Sequence, residues 1–457
     1  MQAALTCLLV IQIMQDRGVK LLDVVTVGII GVTVMVFLML IGVNIGFSMG
    51  IVGFIGYIYV AGWTAAFSIL RTIPFYLADN FTLTVIPLFV LMGHFAFHSG
   101  LSGGLFKMAD RWLCKVRGGL AVASIASCAA FSAVCGSTVA TAATMGTIAY
   151  PEMKKAGYNS ALSTGCLAAG GTLGIMLPPS TLMIIYGVAA EVSIVHLFAA
   201  GIIPGVILTF AYAATVMIQC KIKPHHAPSI DRQYSWKEKF QSLSGVLPVV
   251  ILFGAVIGGM FAGVFSSTEA AGIGAVIGLV FTIVSRKFTI QGLIKCLTET
   301  AKTVGMVFTI LFGAIMFGYF LTVAGIPVAL ANWITSMDIN RYVVILIMTI
   351  IYIILGAIMD ELAMVLLTIP VFLPIVRALG FDPVWFGIYI VMVSNIGLMM
   401  PPVGLNVFVI AGVVKEVPLF RIYKGVMPFV GACIVVLVFC VYFEELSLLL
   451  PRLLYSS

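Results

Sequence analysis

Runs of apolar residues, most of them long enough for a spanning helix and separated by short polar connections, set the pattern of this chain. Uninterrupted runs fall near 24–41, 47–66, 84–99 and 198–219 in the first half, and near 245–263, 268–285, 303–322 and 420–448 in the second. About 20 residues in a helix cross a hydrocarbon core about 30 Å thick, and the runs lack the alternation of a membrane barrel. The expected fold is an all-α polytopic membrane protein.

Two places in each half break the pattern. At 119–151 the triplet Gly136-Ser137-Thr138 splits an apolar run into legs of 17 residues (Gly119 to Cys135) and 13 residues (Val139 to Pro151). Both legs are shorter than a span, which predicts a re-entrant helical hairpin. At 163–190 Pro178 and Pro179 interrupt a run in its middle, and each lacks an N–H and frees the carbonyl four residues back, which predicts a broken transmembrane helix. The second half repeats both features, as a hairpin over 342–374 with legs at 342–358 and 362–374, and as a broken helix at 386–414.

The repetition has a register. Adding 223 to Pro151, Gly157, Gly174, Pro178 and Pro179 lands on Pro374, Gly380, Gly397, Pro401 and Pro402, and the tip residue Ser137 falls on Asp360. With five full crossings in each half, the second copy is inverted in the membrane. Duplication with interruptions at corresponding positions is the sequence mark of a secondary transporter's binding site. The chain then divides into an N-terminal extension (1–23), a first inverted repeat (24–220), a cytoplasmic linker (221–244) with a short surface helix, a second repeat (245–448) and a C-terminal tail (449–457).

Composition agrees with this reading. With 62% apolar residues, 9% charged residues and a mean hydropathy of +1.19, the chain lies far from soluble domains, where about a quarter of residues are charged. Placing the loops around the first hairpin in the cytoplasm gathers most of the 24 basic residues on that side, so the formal charge of +7 reflects topology and calls for no nucleic-acid partner. The first hairpin then enters from inside and the second from outside. Nine cysteines without a C-x-x-C pair or zinc spacing indicate packing. The apolar stretch at 3–14 has no basic residue before it and no cleavage site after it, so no removed signal peptide is expected.

Helix breaks supply what an apolar bundle otherwise lacks, oxygen ligands for a hard cation such as sodium. Pro178 and Pro179 should free the carbonyls of Gly174 and Ile175, and Pro401 and Pro402 those of Gly397 and Leu398. Opposite them stand the hairpin tips, with Ser137 and Thr138 in one half and Asp360 in the other. The first candidate sodium site is Gly136, Ser137, Thr138, Gly171, Gly174 and Pro178; the second is Gly356, Met359, Asp360, Asn395, Gly397 and Pro401. The half-helix N-termini after the breaks carry partial positive charge suited to a carboxylate, which makes Ser180, Thr181, Val403 and Gly404 the candidate substrate-binding residues. Glu361 either joins the second site or faces water beside it. No catalytic residue and no cofactor beyond the coupling ions is expected.

Other patterns have local readings. Ser266 and Glu269 fit a capping box. His94 and His98 share a helix face and either bind a metal, as in an intramembrane metalloenzyme, or hydrogen-bond to a neighbouring helix. Gly254, Gly258, Gly259 and Gly263 have the spacing of close helix packing, within the chain or against a partner. Glu191 and Glu416 occupy matching turns after the two breaks.

The motifs CGSTVATAATMGTIAYPEMKKAGY at 135–158, GTLGIMLPPSTLMIIYG at 171–187, FSSTEAAGIGA at 265–275 and GLMMPPVGLNVFV at 397–409 closely resemble the large membrane subunit of tripartite ATP-independent periplasmic (TRAP) transporters. The resemblance spans about residues 24 to 448. It implies sodium-driven uptake of an organic acid such as a C4-dicarboxylate or a sialic acid across a bacterial inner membrane. It also implies an elevator mechanism, a small four-helix membrane subunit, here expected as a separate chain, and a periplasmic protein that delivers substrate. The chain's longest outer segments, near 67–83 and 323–341, are too short for a binding domain of their own. The alternative within transport is a stand-alone divalent-anion or metalloid-anion carrier of similar architecture.

Overall fold

The computed structural model of the protein describes residues 23–228, 234–336 and 339–455. The apolar stretch at 3–14 and the centre of the linker lie outside them. Every regular element among the described residues is a helix, and eight helices there are long and apolar enough to cross a membrane. This follows from the solvent, because a chain in hydrocarbon must satisfy its backbone polar groups internally. Two compact units form. One takes residues through Leu83 with Val304–Val344 and Leu362–Pro383, and the other takes Thr84–Thr303, Ile345–Glu361 and Val384 onward. The second unit holds the tip, break and linker contacts described below.

The legs expected for the first hairpin are the helices Gly119–Cys135 and Thr138–Lys155, and those expected for the second are the helices Arg341–Ile358 and Glu361–Ala378. Their second legs run past the prolines at which the sequence ends them, since Pro151 and Pro374 lie inside helix. Glycine stops these legs instead. Gly157 (φ +74°) and Gly380 (φ +79°) adopt the left-handed conformation, and the residue after each donates back to the carbonyl five positions earlier, Tyr158 to Met153 and Phe381 to Val376. At 18 residues, about 27 Å, both legs of the second hairpin are among the eight apolar helices, longer than the sequence runs predict.

The broken helices are Ser160–Met176 with Thr181–Ala189, and Pro383–Gly397 with Leu405–Val413. Ile194–Ile222, Ser267–Val284, Ile290–Val323 and Leu419–Tyr442 are uninterrupted, and Ser266 and Glu269 make the expected capping box. The short linker helix is Trp236–Ser242.

Amphipathic helices replace several segments expected as loops or tail. Trp63–Asp79 occupies the outer segment near 67–83 and buries Ala66, Ile73 and Leu77. Leu101–Leu113 precedes the first hairpin and buries Leu101, Leu105, Phe106 and Ala109. The last span ends at Tyr442, and a terminal helix, Glu445–Tyr455, buries Leu448 and Pro451 and sets Tyr455 against His196 at 4.6 Å between ring centroids. In each case the apolar residues recur at three- and four-residue spacing but are too few for a spanning window. The glycine run near 254–263 forms a π-helical turn at Gly254–Gly258, and a Cβ on Gly254 or Gly258 would meet nothing within 4 Å. Those two glycines pack against nothing within the described chain.

Candidate substrate and cation site

In the first hairpin, Gly136 takes a positive φ (+63°) that ends one leg, and Ser137 caps the next by accepting from Ala140 N at 3.4 Å. The break after Met176 lies against this tip. Gly136 O accepts from Thr181 Oγ1 at 3.0 Å and from Thr181 N at 3.4 Å. A Cβ on Gly136 would lie 2.7 Å from Pro179 O, and one on Gly174 would lie 2.5 Å from Ser137 O and 2.8 Å from Thr138 N. Tip and break therefore meet backbone to backbone, which brings Gly136, Ser137, Thr138, Gly174, Pro178-Pro179 and Thr181 into one place. Ser180 caps the second half-helix by accepting from Met183 N at 3.3 Å. Gly171 faces away from the tip, where a Cβ would lie 2.7 Å from Ala142 Cβ and 3.0 Å from Asn406 Nδ2.

The second break meets its hairpin one turn short of the tip. A Cβ on Gly397 would lie 2.8 Å from Gly356 Cα, and Val403 N donates to Ala357 O at 3.1 Å. Met359 and Asp360 form the non-helical tip itself, between Ile358 and Glu361. The first break is buried, whereas Pro401, Pro402 and Val403 are exposed. Asn395 is fully buried, and neither amide atom has a hydrogen-bond partner among the described residues.

One hydrogen bond joins the two tips. Thr138 Oγ1 donates to Glu361 Oε1 at 3.2 Å, while Glu361 Oε2 is buried without a partner among the described residues. Glu361 thus faces the other tip rather than open water. The oxygens gathered here belong to hydroxyls, backbone carbonyls and the Glu361 carboxylate, all hard ligands of the kind that suit an alkali or alkaline-earth cation.

Three features were not among the sequence candidates. Asn406, fully buried, donates from Nδ2 to Ala168 O at 3.2 Å and ties the second broken helix to the first. Its signal was a lone amide in an apolar run just after a break. Tyr423 OH lies 2.8 Å from Val403 O and 3.1 Å from Pro402 O and donates to the exposed break. Glu416, read as an unremarkable turn residue, accepts from Lys154 Nζ at 2.5 Å and from Tyr150 OH at 2.8 Å.

Those bonds, first that of Lys154 and then that of Tyr150, hold the Glu416 carboxyl below the usual carboxylate range. The unfolded chain has the ordinary value near 4.3, so the stabilisation is present above it and is lost as pH falls through the lower folded value. Melting temperature should drop more steeply between about pH 5 and pH 3 in the wild type than in Glu416→Gln. Parallel curves would show that the contact contributes nothing.

His94 and His98 turn to a neighbouring helix. His94 Nδ1 lies 3.4 Å from Glu299 Oε2, and His98 Nδ1 lies 3.0 Å from His94 O and 3.4 Å from Cys296 Sγ. Among the described residues no group of three or more His, Cys, Asp or Glu side chains is placed to hold a metal ion.

These features define a polytopic α-helical membrane protein. The sequence model of the tripartite ATP-independent periplasmic transporter, DctM component, matches residues 32–446, and the chain belongs to that family. It is similar to the C4-dicarboxylate TRAP transporter large permease protein DctM of Pseudomonas aeruginosa, at 35% identity over 83% of this chain and 88% of the relative. It is also similar to the sialic acid TRAP transporter large permease protein SiaM of Vibrio cholerae, at 32% identity over 82% and 87%. The isethionate TRAP transporter permease protein DctMQ of Oleidesulfovibrio alaskensis is 32% identical over 88% of this chain, which spans 63% of that protein. The chain is thus a transport protein and not an enzyme. Among solved structures, the YdaH transporter of Alcanivorax borkumensis aligns with a TM-score of 0.55 at 16% identity over 82% of this chain and 90% of that one. MtrF of Neisseria gonorrhoeae aligns with 0.57 at 14% over 92% and 95%. At these identities the likeness concerns the fold.

Proposed function

We propose that this chain is the large membrane subunit of a sodium-coupled TRAP importer in a bacterial inner membrane, taking up an organic acid of the C4-dicarboxylate or sialic acid class. Its two halves act as inverted repeats, each contributing a tip-and-break cation site, and the hairpins and broken helices carry substrate across the membrane as an elevator. A small four-helix membrane subunit supports the fixed part, and a periplasmic binding protein delivers substrate. The observation that carries this reading is the bond between Thr138 and Glu361, two residues 223 positions apart, which is the offset that aligns the two halves. Equivalent residues touch each other only at a symmetry axis, so oxygen donors from both tips converge there. A carboxylate substrate finds positive partial charge at the half-helix starts near Thr181 and Gly404, and bound sodium offsets the charge that Asp360 and Glu361 would otherwise oppose to it.

Proteoliposomes holding the chain and its small subunit, supplied with the loaded binding protein, should accumulate substrate only under an inward sodium gradient. Uptake at full rate without sodium overturns the coupling. Uptake by this chain alone, without a binding protein, favours a stand-alone carrier instead.

A further inference from the structure

The linker helix Trp236–Ser242 is fastened along helix Leu101–Leu113. Arg111 Nη1 donates to Glu238 O at 3.0 Å, Trp112 Nε1 donates to Lys239 O at 3.2 Å, and Tyr234 OH donates to Asp110 Oδ2 at 3.1 Å. Gly104 and Gly245 bring the two backbones together, since a Cβ on Gly104 would lie 2.9 Å from Gly245 O. The fastened pair presents three aromatic rings. Trp112 stands edge-on to Trp236 and Phe240, with centroids 6.5 and 6.0 Å away. Trp236 is 69% exposed and Phe240 60%, so nothing in the described chain covers them.

Positive charge surrounds the rings. Lys107 and Arg111, four residues apart, share a helix face, and Lys239 Nζ lies 5.2 Å from the Trp236 ring. Lys107, Lys115, Arg117 and Lys237 are exposed and make no ion pair with a carboxylate among the described residues. The acids on the same elements are engaged locally, Glu238 in a capping box with Ser235 and Asp110 with Tyr234. Exposed aromatic rings framed by unneutralised cations match one environment, the boundary between acyl chains and anionic headgroups.

We propose that this surface is an interfacial lipid site selective for anionic phospholipids, with Trp112, Trp236 and Phe240 seated at headgroup depth and Lys107, Arg111, Lys237 and Lys239 meeting the phosphates. It rests on the reading that places both elements on the cytoplasmic side, where basic residues gather. It also gives the long linker between the two halves a fixed attachment, so that this linker does not drift as transport proceeds.

The test uses the purified full-length chain titrated with phosphatidylglycerol or phosphatidylcholine bearing brominated acyl chains, which quench tryptophan on contact. Phosphatidylglycerol should quench at several-fold lower concentration, and raising the salt tenfold should narrow that advantage. Combining Lys107→Gln, Lys237→Gln and Lys239→Gln should remove that several-fold preference. The pair Lys415→Gln and Lys424→Gln, on other elements, should leave the preference intact. Trp236→Phe should remove much of the quenching, because the ring it deletes is among the most exposed. Equal quenching by the two lipids, or a preference that survives the triple substitution, overturns the selectivity. Quenching unchanged in Trp236→Phe overturns the site and shows that the ring is covered by something other than lipid. None of these outcomes depends on sodium or substrate, so they leave the transport reading to its own experiment.

Discussion

Gly174→Ala should reduce uptake by between about ten- and a hundredfold while the chain still folds and inserts. The added methyl would lie 2.5 Å from Ser137 O and 2.8 Å from Thr138 N, and both are backbone atoms with no rotamer to escape into. Either the hairpin tip or the broken helix must move by a few tenths of an ångström or more. Overpacking of this kind costs about 1–3 kcal/mol, and here it falls on the groups proposed to hold the coupling ion. Gly397→Ala should act in the same way through Gly356, where the methyl would lie 2.8 Å from Cα. Gly431→Ala is the matched control, since nothing lies within 4 Å of a Cβ there. Initial uptake rates at equal protein density decide the matter, and wild-type rates in Gly174→Ala would remove the tip-and-break contact from the mechanism.

Asp360→Ala should abolish sodium-driven uptake at ordinary sodium concentrations without destabilising the fold. Asp360 lies in the two-residue tip between Ile358 and Glu361, immediately before the carboxylate that meets the first hairpin. A carboxylate at such a place is costly to maintain, and removing one of two adjacent like charges lessens their mutual repulsion. Asp360 is half-buried, and loss of a charged ligand there costs about 1.5–3 kcal/mol, roughly tenfold or more in apparent sodium affinity. Asp360→Asn, which keeps the shape and an oxygen, should fall between the two and recover in part at high sodium. The readouts are direct sodium binding and the sodium dependence of uptake, with melting temperature as the check on folding. An alanine variant with unchanged sodium affinity would exclude Asp360 as a ligand.

Both predictions use residues legible in the sequence, but the sequence and the structure contribute different parts. Ser137, Thr138, Gly174 and the proline pairs stood out because polar or helix-breaking residues interrupt apolar runs, and that contrast is a one-dimensional property. The extents of the hairpin legs were not legible in the same way. Pro151 and Pro374 resemble stops, yet the helices absorb them, Glu361–Ala378 taking in Pro370 as well, and end before Gly157 and Gly380, because the few hydrogen bonds that proline removes are tolerated within an otherwise bonded leg. Likewise Trp63–Asp79 and Glu445–Tyr455 are too amphipathic to register as spans, and they become helical by burying a narrow apolar face.

By itself, then, the sequence determined the solvent, the helical class, the two pairs of interruptions and their offset of 223, since each depends only on which residue types follow one another. Only the tertiary structure decided which partners those residues take. Asn406 reaches Ala168, Tyr423 secures the second break, Glu416 holds Lys154 and Tyr150, and Thr138 pairs with Glu361. Each of those bonds joins positions 20 to 266 residues apart. No local propensity encodes such a contact; it exists only once the helices have packed.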